Sequence, residues 1–102
     1  MAKISCTRQA LHDLKRLSEF LFETHREASA EITALILDGI NILQSHPQVG
    51  RPKGNGLREL IISRGSTGYV ALYDFYPSKN EALILTIRHQ REVGYQKRFS
   101  AN

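Results

Sequence analysis

The sequence predicts an α+β domain: an N-terminal strand, an α-helical hairpin, then a three-stranded antiparallel meander, in the order β-α-α-β-β-β. Three observations carry this. Residues 57–89 hold three runs rich in Ile, Val, Leu and Tyr, namely Leu57–Arg64, Tyr69–Tyr76 and Ala82–His89. Each has a typical strand length, and Gly65-Ser-Thr-Gly68 and Pro77-Ser-Lys-Asn-Glu81 separate them with turn-forming residues. Upstream, two apolar series recur at helical spacing with only a short polar break between them, which forces antiparallel helices.

Taken in order, Lys3-Ile-Ser-Cys6 alternates as a first strand that pairs with the meander, with Ile4 and Cys6 on one side. Thr7 stands as an N-cap, its hydroxyl able to satisfy a free N–H of the first turn. Ala10, Leu14, Leu17 and Leu21 form the stripe of a helix from about Arg8 to about Thr24, widened by Leu11 and Phe20. After the break Thr24-His-Arg-Glu27, a second stripe of Ala28, Ile32, Leu35, Ile36, Gly39 and Leu43 predicts a helix that ends near Ser45-His46, before Pro47. Gly39 inside it costs about 1 kcal/mol against Ala, which close packing on the first helix or the sheet would explain. Pro47–Gly56 reads as one long loop, carrying Arg51 and Lys53. In the middle strand Tyr69, Tyr73 and Phe75 share one face and Val70, Leu72 and Tyr76 the other. The helical hairpin covers one face only. The remaining apolar face, or a strand edge, therefore calls for a partner chain or for the C-terminal tail.

The 102 residues suit one domain with one core, residues 1–102, with Gln96–Asn102 left open as helical, frayed or ordered by a partner. A hydrophobic fraction of 41% excludes a disordered chain, and no apolar run reaches membrane-spanning length. With no apolar leader at the N-terminus and a single cysteine, the expectation is a cytoplasmic protein without an internal disulfide. Charge is uneven. Residues 1–49 carry five Lys/Arg and six Asp/Glu, residues 50–102 nine and four, so the sheet half is basic and suits an anionic partner or simply solubility.

No cofactor or metal is implied. His12, His25, His46 and His89 are scattered, and none pairs with Cys or Glu at ligand spacing. Cys6 has no evident base beside it and is expected in the core. The chemistry-bearing cluster is at the end of the last strand, where Arg88, His89, Arg91 and Tyr95 fall close together and Arg64 ends a neighbouring strand. Cleavage of RNA needs a base, an acid and cations on the phosphate. His89 can move protons near neutral pH, the arginines can grip phosphate, and Tyr95 can stack or donate a proton. The same residues equally make a strand cap and a solvated surface for acidic protein.

Several segments together carry a resemblance. They are Thr7-x-x-Ala10-x-x-Asp13-Leu14, His46-Pro47-x-x-Gly50-Arg51-Pro52, Leu57-Arg58-Glu59, Gly68-Tyr69-x-x-x-Tyr73 and Ile84-Leu85-x-Ile87-Arg88-His89-Gln90-Arg91. In order and spacing the chain resembles the RelE/ParE superfamily of bacterial type II toxin–antitoxin toxins, from Ile4 to about Tyr95. The resemblance implies a cognate antitoxin that wraps the toxin as a hetero-oligomer, no membrane, and a part in plasmid stabilisation. It also implies one of two targets. The ParE-like branch poisons DNA gyrase and is not an enzyme. The RelE-like branch is a ribosome-dependent mRNA endoribonuclease, for which His89, Arg91, Tyr95 and Arg64 would be catalytic. Val70 stands where many members carry Arg after Gly-Tyr, and the His-Pro-x-x-Gly-Arg-Pro and Ile-Arg-His-Gln-Arg segments look more like ParE. The gyrase-directed branch is therefore the expectation, with the ribonuclease as alternative and a non-toxic, antitoxin-binding co-repressor as a third. The expected binding surface is Arg64, Arg88, His89, Arg91, Tyr69 and Tyr73.

Overall fold

The computed structural model describes residues 1–24, 26–64 and 67–90, with side chains at 1–19, 30–62 and 68–90. The elements are β1 (Lys3–Cys6), α1 (Arg8–Thr24), α2 (Arg26–Asn41), a single 3₁₀ turn (Ile42–Gln44), β2 (Arg51–Gly54), β3 (Leu57–Arg64), β4 (Thr67–Tyr76) and β5 (Glu81–His89). They confirm the α+β class and the helical hairpin. Thr7 caps α1 as expected: its Oγ accepts the Ala10 N–H at 3.0 Å.

The strands form one sheet in the order β1-β5-β4-β3-β2. The meander β3-β4-β5 is antiparallel, and β1 joins it parallel to β5, Lys3 to Cys6 pairing with Glu81 to Ile84. The helices pack on one face against Leu60, Ile62, Tyr69, Ala71, Tyr73, Ala82, Ile84 and Ile87. Along β5 the buried positions run Ala82, Ile84, then Ile87. The change of phase comes from a register shift: Tyr73 pairs with Ile84 but Leu72 with Thr86, so Leu85 is an extra residue. Gly39 packs where expected, since a Cβ there would meet Ile62 Cγ1 of β3 at 2.8 Å.

Three expectations need correction. The stretch Pro47–Gly56 is not all loop, because Arg51–Gly54 forms β2 against β3. Its four residues are exposed, so no apolar alternation marks it. The signal was Asn55-Gly56, a two-residue hairpin turn with φ of 56° and 80°. The second helix gives way at Asn41 to the 3₁₀ turn, short of Ser45. Cys6, expected in the core, is exposed where β1 ends.

Candidate functional site

Register brings the ends of three strands together. Arg64, at the end of β3, pairs with Thr67; Ile62 and Ile61 pair with Tyr69 and Val70 of β4. Across β4, Tyr69 pairs with His89 and Val70 with Arg88. The sheet therefore places Arg64, Tyr69, Arg88 and His89 at one end, as their sequence positions suggested. Arg91 and Tyr95 lie outside the described residues, and of Arg64 only the backbone is described.

Two members of the expected surface are not on it. Tyr73 is 0% exposed and Tyr69 2% exposed, both inside the helix-covered core. One neighbour, Gly50, explains Tyr73. Its hydroxyl accepts the Gly50 N–H at 2.9 Å, and a Cβ on residue 50 would stand 2.6 Å from its ring. A buried phenol requires such a partner, and only glycine lets the backbone approach. Tyr69 instead packs against His89, ring centroids 5.2 Å apart and planes at 86°. This edge-to-face contact seats the half-buried imidazole at the strand end. Tyr69 thus supports the site from beneath.

Arg88 is held differently. Beyond Cys6, β5 has no strand partner on its outer edge among the described residues, and α1 takes that place. Thr7 Oγ donates to the Leu85 carbonyl at 2.8 Å. Two residues on, the Ile87 N–H donates to Asp13 Oδ2 at 3.1 Å. The other oxygen of Asp13 accepts the Gln9 side-chain amide at 2.8 Å, with Arg88 Nη1 4.0 Å away. Asp13 is 1% exposed, so its carboxylate needs these donors. As a site residue it was missed, although the signal was present: it falls at helical spacing between Ala10 and Leu17, on the apolar face.

The cations of the loop are engaged in another way. Arg51 Nη2 lies 3.3 Å and Lys53 Nζ 3.2 Å from the two carboxylate oxygens of Glu59. Arg58 Nη1 donates to the Gln48 and Gly50 carbonyls at 2.9 and 2.8 Å. The segments His46–Pro52 and Leu57–Glu59 therefore form a structural clasp. Among the described residues no group of three or more His, Cys, Asp or Glu is placed to hold a metal, and no helix is long and apolar enough to cross a membrane.

Comparison with known proteins agrees with this fold. Residues 4–94 match the family described as the ParE toxin of the type II toxin–antitoxin system parDE. The chain is 34% identical over 92 residues to Toxin RelE3 of Caulobacter vibrioides, covering 90% of this chain and 98% of that protein. Its fold is similar to that in the chromosomal ParDE toxin–antitoxin system from P. aeruginosa, with a TM-score of 0.72 and 24% identity over 87% of this chain and 96% of that one. It is also similar to the RelBE2 toxin–antitoxin complex from Mycobacterium tuberculosis, with a TM-score of 0.62 and 22% identity over 86% and 96%. With 91 of its residues inside one family match and the expected helical hairpin on a five-stranded sheet, the chain belongs to the ParE toxin family of type II toxin–antitoxin systems, within the RelE/ParE superfamily.

Proposed function

We propose that this toxin acts by poisoning DNA gyrase, with the end of β5 around Arg88 and His89, the adjoining end of β3 at Arg64, and Arg91, which follows in sequence, as its target-facing surface. A cognate antitoxin neutralises it. The observation that supports a protein-directed surface most is the pairing of Val70 with Arg88 on one side and Ile61 on the other. At this end the face turned away from the helices exposes Ile61 beside the buried Val70, with Arg88 at its border. Binding of a protein target suits that mixture. Gripping a phosphate in a transition state calls for several converging donors. Arg51 and Lys53, the nearest loop candidates in sequence, are engaged with Glu59 instead.

The antitoxin is supported by the family itself and by the neighbours whose solved structures are toxin–antitoxin systems. On that same outer face Ile61 is exposed and Leu72 and Leu83 are half-buried. An antitoxin segment laid there would remove this surface from water.

One observation favours the ribosome-dependent endoribonuclease as second reading. His89 is an imidazole seated by Tyr69 at the strand end. Expression without antitoxin separates the readings. Gyrase poisoning predicts growth arrest with induction of the DNA-damage response and intact transcripts. Cleaved transcripts without DNA damage would establish the second reading, and normal growth would leave a co-repressor that only binds antitoxin.

A further inference from the structure

We propose that Asp13 is a positioning residue for the target-facing end of β5, holding Arg88 in place from the helix layer. The inference rests on the reading that Arg88 contacts the target. The sheet alone leaves this end loosely specified. β1 stops at Cys6, opposite Ile84, so among the described residues Leu85 to His89 have a strand neighbour on one side only. Alternate residues of this segment are then fixed from three directions: Leu85 by Thr7, Ile87 by Asp13 and His89 by Tyr69. Arg88 lies between the second and third of these. Its guanidinium is 4.0 Å from Asp13, and its side chain is 30% exposed, so one end is tethered while the rest stays accessible.

The chemistry of Asp13 suits this task better than that of a neutral residue. One oxygen takes the Ile87 N–H, which a strand carbonyl would otherwise accept. The second is oriented by the Gln9 amide and attracts Arg88. Asparagine at position 13 would keep a carbonyl for Ile87 but lose the charge. It would also turn an amide N–H₂ towards a second N–H₂ or towards a guanidinium. The backbone would hold and the arginine would be released.

The test uses the full chain, expressed without antitoxin at graded inducer levels, with thermal unfolding of each purified variant. Asp13→Asn should lower growth-arrest potency about tenfold, the size of a direct coupling between neighbouring groups. In an Arg88→Gln background the same change should have no further effect. A core control, Ile36→Val, chosen for an equal or larger fall in Tm, should keep full potency. Gln9→Ala retains the carboxylate and should give a smaller loss in the same direction, so the idea stays testable if Asp13→Asn does not fold. Full potency of Asp13→Asn beside a weakened Arg88→Gln would overturn the positioning role alone. Equal losses in Asp13→Asn and in the Ile36→Val control would also overturn it. Full potency of Arg88→Gln would overturn the site reading and the positioning role with it.

Discussion

Two seams hold side chains of this chain in place, and they do so by opposite means. At the loop seam, Gly50, Arg51, Lys53, Arg58 and Glu59 clasp β2 to β3, and the buried hydroxyl of Tyr73 anchors the loop before β2. At the helix seam, Thr7 and Asp13 of the α1 end close the bare edge of β5. In the loop seam the cations Arg51 and Lys53 lie outside, on a Glu59 side chain that is 14% exposed, and the neutral anchor lies inside. In the helix seam the carboxylate is buried and the cation it attracts is partly exposed. Exposed ion pairs contribute little and are replaceable, whereas a buried carboxylate is costly to leave without its donors. The loop seam therefore acts on the fold alone, whereas in the proposed reading the helix seam also positions Arg88.

The largest effect should come from the anchor of the loop seam. Tyr73→Ala is expected to cost about 3–5 kcal/mol, comparable to a large part of the stability of such a domain. A loss below about 1 kcal/mol in thermal or urea unfolding would mean that the loop is not anchored in the core. Asp13→Ala comes next, at about 1–3 kcal/mol, because the buried Ile87 N–H is left without an acceptor. Hydrogen exchange should show Ile87 among the amides that speed up most, and unchanged Ile87 protection would break the contrast between the seams. Arg51→Ala and Lys53→Ala should each change stability by less than about 1 kcal/mol, since each removes one exposed partner of Glu59. A larger loss for either would erase the distinction. The smallest effect concerns Cys6, at the start of the helix seam, an exposed residue whose thiol is pushed above its ordinary range by desolvation of the part of it that is covered. Less thiolate at a given pH means slower alkylation in the folded chain than in the urea-unfolded chain, with the difference shrinking as pH rises through the folded value. Equal rates near neutral pH would show that the seam does not desolvate it.

The fold was legible where apolar periodicity speaks. The stripes Ala10-Leu17 and Ile32-Ile36 lie in the core, where they meet Tyr69, Ala71 and Tyr73 of β4 and Ala82, Ile84 and Ile87 of β5. It was not legible where pairing is carried by polar backbone alone. β2 is exposed throughout and holds Pro52 and Gly54, so only its Asn-Gly turn betrays it. The site was half legible. The pattern brought Arg64, Arg88 and His89 to one end, as the register shows. It also put Tyr69 and Tyr73 on the surface, because alternation tells which residues share a face but not which face the helices cover. Asp13 was visible only as a motif letter. Its role depends on β1 ending at its fourth residue, a fact of pairing that no local pattern encodes.

The central claim is that this toxin works on gyrase through the β5 end. It is tested most directly by supercoiling and DNA-cleavage assays with purified gyrase and the purified chain, run beside a ribosome-dependent mRNA cleavage assay, with Arg88→Gln as the comparison protein. The account predicts inhibited supercoiling with trapped cleaved DNA, weakened in Arg88→Gln, and uncut mRNA. Cut mRNA with untouched gyrase would contradict it and would make His89, Arg91 and Tyr95 the catalytic candidates.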